Sequence, residues 1–199
     1  MASKLTDLAQ QKTAMQLQSM SKEAYTWLLE KIKEIRSPSS IPVGINREAA
    51  IRKMTRVVKG KLFCFYYDPK GKADLPYYDR FPLVLVLEKY NDGFLGLNLH
   101  YLPIKYRVAF LDKLLQYARL DDENNIDRLR VTYDILNSSR RFREFKPCIK
   151  QYLYSHCRSK ILTIEPHEWD VAIFLPMQLF KGAKPQQVWQ ESVQEIKRQ

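Results

Sequence analysis

Asp134, Glu144 and Lys146 stand in the order Asp…Glu-x-Lys. That order is how a metal-dependent nuclease gathers carboxylates and a lysine around a phosphate. The pattern needs a strand beneath its last two members. Residues 142–157 read as helix instead, and on a helix residues two apart point away from each other. His100, in Leu99-His100-Tyr101, has the chemistry of a general base. A wall histidine bonded to backbone is the stronger reading. His167, in Glu165-Pro166-His167-Glu168, reads as the cap of a turn. His156 and Cys157 are adjacent, so on a helix they diverge by about 100°. The spacing of Cys148 and Cys157 matches no common zinc knuckle. No glycine-rich phosphate loop and no H-E-x-x-H is present. Asp68, Asp74 and Asp79, with Lys70, Lys72 and Arg80, read as a solvated salt-bridge cluster of small energetic weight. These residues assign no catalytic group, no metal ligands and no cofactor, and the expectation is a protein that is not an enzyme.

Charge is the stronger signal. The chain of 199 residues carries a formal net charge of +11 and a pI near 9.5. Such an excess suits a polyanionic partner, nucleic acid above all. Two segments concentrate it. Arg47, Arg52, Lys53, Arg56, Lys59 and Lys61 form the first, with only Glu48 opposed. Arg140, Arg141, Arg143, Lys146, Lys150, Arg158 and Lys160 form the second, with only Glu144 opposed. On a shared face the two would track a phosphate backbone without reading bases, since no zinc finger or helix-turn-helix is evident.

The remaining composition bounds the class. Hydrophobic residues make up 45% and charged residues 28%, as in a soluble globular protein. No apolar run approaches the ~20 residues a membrane helix needs, and residues 1–18 hold no signal-peptide core. Three cysteines argue against a disulfide framework.

Several elements must carry these charges. Residues 3–36 read as helix, with Tyr25, Leu28, Leu29, Ile32 and Ile35 at helical spacing. The "SPSSIPVG" stretch, 37–44, breaks it as a linker. Residues 62–67 and 83–90 read as strands, the second buried on both faces. Asn91-Asp92-Gly93 makes a hairpin into a third strand, 94–101, with Gly96 at a bulge or bend. Alternation puts Phe63, Phe65 and Tyr67 on one face of the first strand and Leu62, Cys64 and Tyr66 on the other. One face belongs inside a curl and the other under a helix, with 104–119 the candidate. Residues 142–157 read as helix, 160–166 and 169–176 as strands, and 184–197 as a closing helix with Val188, Trp189, Val193 and Ile196 on one side. The expected fold class is α+β: a small SH3-like curled β-barrel decorated by helices, with an extended N-terminal helix and arm. Its parts are an arm at 1–45, a barrel-plus-helix core at 46–183 and a C-terminal helix at 184–199. Tyr77 and Tyr78, on a loop between strands, are the rings least able to be buried together. With Tyr25 and Trp27 they are the candidate contacts to partner chains.

Two resemblances sharpen this. Gly60 leading a strand, an acidic-aromatic loop, Arg80-Phe81-Pro82 and then "LVLVL" resemble the SH3-like barrel of PemK-type plasmid-maintenance toxins. The Phe81 insertion departs from the toxins' Arg-Pro, so that resemblance implies a fold and not a ribonuclease. The blocks "YYDPKGKADLPYYDRFPLVLVLEKYNDGFLGLNLHYLP", "FKPCIKQYL" and "HEWDVAIFLPMQLFKGAKPQQVWQES" resemble a virion protein family of T-even-like contractile-tailed phages. Members of that family are known as structural proteins or DNA end protectors.

The resemblance implies a non-enzymatic virion structural protein, at the head-tail junction or in the tail, made in the host cytoplasm and oligomeric within the particle. Its partners would be other virion proteins and sequence-independent double-stranded DNA, with no membrane. The alternative is a duplex end-binding protein that shields the genome from host exonuclease. A toxin-like or metal-dependent nuclease comes last.

Overall fold

The computed structural model describes residues 57–108, 110, 146–164, 168–174 and 177–198, together with Thr26. The expected N-terminal helix and linker, the acidic segment 120–127 and His167 lie outside the described residues. So do Arg47, Arg52, Lys53, Arg56, Arg140, Arg141, Arg143, Tyr25, Trp27, Asp134 and Glu144.

Strands β1 (Leu62–Cys64), β3 (Leu83–Lys89), β4 (Gly93–Asn98), β5 (Ile149–Leu153) and β6 (Leu162–Ile164) form one antiparallel sheet in the order β5-β4-β3-β1-β6. A separate ribbon pairs β2 (Tyr78–Asp79) with β7 (Phe180–Lys181). Helix α1 (Trp169–Phe174), helix α2 (Pro185–Arg198) and a helical stretch at 104–108 complete the described fold.

The first strand divides its residues as alternation requires. Phe63, Phe65 and Tyr67 join Val84, Val86, Phe94, Tyr152, Tyr154, Cys157 and Ile161 in one core cluster. Here Phe65 meets Phe94 and Tyr152 edge-on, at ring-centroid distances of 5.7 and 5.3 Å. Leu62 and Cys64 join Leu83, Leu85 and Leu97 in the second cluster, covered by Val108, Phe110, Ala172, Ile173 and Val188. Both faces of β3 are therefore buried, and described residues of the segment after β4 lie in the cover of one of them, as alternation demanded.

The sheet is not a closed barrel. Its order runs from β5 to β6 without returning to the first strand. The continuation of β1 curls toward the turn after β5, where Tyr67 and Cys157 form an isolated bridge. Asp68 N donates to the His156 carbonyl at 3.1 Å and Arg158 N to the Tyr66 carbonyl at 2.7 Å. Contact across the curl is thus a short patch and not a full ladder, and the PemK-like barrel expectation is corrected to an open, curled sheet.

Two elements differ from their expected type. Residues 149–153 are strand β5, not helix, flanked by 3-10 turns at 146–148 and Tyr154–His156. Tyr152 pairs with Phe94 across the ladder and the two rings stack at 5.4 Å, so tertiary pairing overrides a weak helical period. Residues 169–174 are helix α1, not strand. Trp169, Ala172 and Ile173 are its buried side chains, and their i, i+3, i+4 spacing is helical. The third strand stops at Asn98, whose side chain accepts from His100 N and caps a 3-10 turn over Leu99–Tyr101. Across from it the register of β3 shifts between Val86 and Glu88. Gly96 lies beside that shift, and a Cβ there would meet Val84 Cγ1.

Candidate functional site

The β2–β7 ribbon brings the cationic residues together. Asp79 is the pivot. It is 4% exposed, and its Oδ1 accepts from Phe81 N at 3.0 Å and Leu179 N at 3.1 Å. Its Oδ2 accepts from His100 Nδ1 at 2.7 Å and Asn98 Nδ2 at 3.3 Å. The expected solvated cluster therefore loses Asp79 to the core. The wall-histidine reading is corrected as well, since the His100 ring binds a carboxylate and not the backbone. Burial would push the Asp79 carboxyl up, but the His100 ring and the two backbone donors outweigh it and hold it below its usual range. Burial holds the His100 imidazole below its ordinary value despite that carboxylate.

This buried pair continues into a polar strut. The His100 carbonyl accepts from Trp189 Nε1 at 2.8 Å and from Arg107 at 3.4 Å. Arg107 is fully buried, donates also to the Leu102 and Ile173 carbonyls, and lies 5.6 Å from the Trp189 ring. Burial draws its guanidinium down to about 10, so it stays charged at neutral pH.

Arg80 lies between Asp79 and Phe81 and inherits their rigidity. Its N–H donates to the Leu179 carbonyl at 3.0 Å and its carbonyl accepts from Tyr67 N at 2.9 Å. Lys181 stands opposite Tyr78 in the ribbon register. Arg158 is fixed through its backbone bond to Tyr66. Together these segments wall a cavity of about 510 Å³, lined by Tyr66, Tyr67, Asp68, Lys72, Tyr78, Arg80, Arg158 and Lys181. Four cations face one carboxylate there. Asp68 holds Lys72 at 3.0 Å and Arg158 at 3.4 Å, and the Lys72 bond chiefly keeps its carboxyl below the usual range. Arg80 and Lys181 are exposed and form no ion pair among the described residues. The arrangement can hold an anion against aromatic walls.

Of the cations singled out from sequence, Arg158 of the second basic segment and Lys72 and Arg80 of the expected salt-bridge cluster line the cavity, and the other described ones do not. Lys59, Lys146 and Lys150 are described, and none lines the cavity. Lys150 Nζ sits 4.6 Å over the Tyr101 ring, partly buried, and burial lowers its pKa. Of the two described candidate partner-contact rings, Tyr77 lies just before β2 and is partly buried. Tyr78 belongs to β2 and is 9% exposed. Tyr77 donates to Glu191 Oε2 at 2.8 Å and packs on Tyr101 and Phe180. Lys146 opens a 3-10 turn ahead of β5. Among the described residues no group of three or more His, Cys, Asp or Glu side chains is placed to hold a metal, and no helix is long and apolar enough to cross a membrane. All three cysteines are buried thiols outside any disulfide, and burial pushes the Cys148 thiol up to about 12.

The family described as phage T4 terminal DNA protecting protein matches residues 10–193. The chain belongs to that family. Comparison with curated proteins found no match, and comparison with solved structures found none either. For a member of the terminal DNA protecting family, the end-protecting alternative drawn from sequence is better supported than the head-tail junction reading. The cavity was missed because its cations come from segments far apart in the chain: Lys72 and Arg80 read as a solvated salt-bridge cluster and Arg158 as one member of a basic segment. The signal available was Arg80, directly followed by an apolar strand.

Proposed function

We propose that this protein binds the ends of duplex DNA without reading sequence and shields them sterically from exonucleases. The observation that carries the reading is the cavity rimmed by Lys72, Arg80, Arg158 and Lys181 in a member of a terminal DNA protecting family. Exposed cations on a rigid frame attract the phosphate backbone and release its counterions. A concave site takes a terminus more readily than a continuous strand, which must pass over it. The role asks for no catalysis, and it places the protein with a packaged phage genome, beside other virion proteins.

The test is competition binding to a short blunt duplex across a salt series, with a closed circle of equal length as competitor. End binding predicts that the circle fails to displace the linear duplex and that a processive exonuclease stalls on the complex. Equal displacement by the circle would refute the reading.

A further inference from the structure

The geometry points to the cavity beneath Arg80 and Lys181 as a pocket for the terminal phosphomonoester of a DNA end. This rests on the end-binding reading and names the group by which the end is recognised.

Three features set the cavity apart from a merely basic surface. Its frame is backbone-fixed. The chain at Tyr66–Asp68 is bonded to His156 and Arg158 on one side and to Arg80 on the other. Arg80 is in turn bonded to Leu179, next to the ribbon strand that carries Lys181. Next, its charges are divided. Lys72 and Arg158 are oriented by Asp68, while Arg80 and Lys181 keep their donors for a ligand among the described residues. Last, its walls are aromatic. The Tyr66 ring leans on Phe81 at 4.7 Å, and Tyr78 and Tyr67 are buried below.

An internal phosphodiester carries one negative charge and a sugar on each side, so it cannot enter a recess. A terminal phosphomonoester carries close to two charges at neutral pH and has three free oxygens. It suits a pocket with a net excess of three cations, four against the one Asp68 carboxylate. Arg80 supplies the planar fork that grips two phosphate oxygens, and Lys181 a point charge beside it. The volume, about 510 Å³, lies within the range of sites that enclose a small ligand. It can therefore admit the phosphate with part of its terminal nucleotide, beside the partly exposed Tyr66.

The experiment uses the full chain and one blunt duplex, prepared with phosphorylated or dephosphorylated ends, with the closed circle as competitor. Phosphorylated ends should bind about tenfold tighter, the worth of charge-assisted hydrogen bonds. The double substitution Arg80→Gln and Lys181→Gln should erase that preference, lowering affinity for phosphorylated ends about tenfold more than for dephosphorylated ends. Lys181→Gln alone, at an exposed ribbon position, should remove part of it, and a melting curve for each variant confirms the fold. Equal binding of both ends, with the circle still unable to compete, would sink the pocket and leave end binding standing. Equal binding with an effective circle would sink both. A preference that survives the double substitution, or a parallel loss for both ends, would also overturn the assignment. A nucleoside monophosphate that binds as tightly as the phosphorylated duplex would make this a free-nucleotide site and overturn it too.

Discussion

Asp79→Ala should be the most damaging single change among the polar residues described, and the structure says by how much. Four donors converge on that carboxylate: Phe81 N, Leu179 N, Asn98 Nδ2 and His100 Nδ1. Alanine leaves all four without their acceptor in a site closed to water. A buried donor left without its acceptor costs about 1–3 kcal/mol, so the loss of several such bonds at once should cost about 3–5 kcal/mol. For a chain of this size that lowers the melting temperature by roughly 6–20 °C. Asp79→Asn is the instructive companion. Its oxygen can still accept from Phe81 N and Leu179 N, and His100 can take the other tautomer, so the cost should fall to about 1–3 kcal/mol. The two variants should also differ from wild type in acid. The Asp79 carboxyl lies below its ordinary value of 3.8, so its contribution is complete above that pH and is lost as pH falls through the lower folded value. His100 is held below its ordinary 6.5, so the unfolded chain takes up a proton that the folded chain refuses, and stability declines as pH falls below 6.5. Between pH 5 and pH 7.5 only the His100 contribution changes, so stability should rise across that window, and the Asp79 contribution is lost only below 3.8. Urea melts of the three proteins at both pH values test this. An Asp79→Ala variant within about 1 kcal/mol of wild type would refute the claim that this cluster holds the ribbon to the sheet.

Two further outcomes follow from the packing. Gly182 has φ +94, and a Cβ there would meet the Pro76 carbonyl oxygen. Gly182→Ala should therefore cost about 1–3 kcal/mol and weaken duplex binding by displacing Lys181, seen as a lower urea midpoint together with a raised Kd. Phe65→Ala empties the centre of the aromatic cluster formed with Tyr67, Phe94 and Tyr152. It should cost about 3–5 kcal/mol by chemical denaturation, whereas Phe65→Leu should recover much of that.

The strands around the hairpin were legible because two local signals agree there. "LVLVL" is too short and too uniformly apolar for an amphipathic helix, and Asn91-Asp92-Gly93 supplies the turn. The C-terminal helix was legible from Val188, Trp189, Val193 and Ile196 at helical spacing. Residues 149–153 and 169–174 were misread for opposite reasons. Strand β5 sets Lys150 and Gln151 between its apolar residues, so its pattern is faint until Phe94 and Tyr152 meet. Helix α1 is short and mostly apolar, so its six residues fit either period. His100 was legible as buried. Its carboxylate partner was not, because Asp79 lies 21 residues away in a segment that looks like a surface turn.

The same limit explains why charge counting pointed to a polyanionic partner and picked out only Arg158 of the cavity's cations. A net charge of +11 predicts attraction to DNA wherever the lysines and arginines fall. It cannot say which of them share a frame. Lys150 comes from a dense basic segment, yet it spends its charge over the Tyr101 ring. Arg80, Arg158 and Lys181 come from three separate segments and are joined only by main-chain bonds through Tyr66, Tyr67 and Leu179. Clustering in sequence measures local density, which serves solubility and long-range steering as well as binding. A ligand is held by charges whose relative positions cannot relax, and that rigidity is a property of the hydrogen-bonded backbone. It follows that neutralising Arg80 and Lys181 should change which DNA ends are preferred. Neutralising Lys146, exposed and outside the cavity, should change only the overall affinity and its salt dependence.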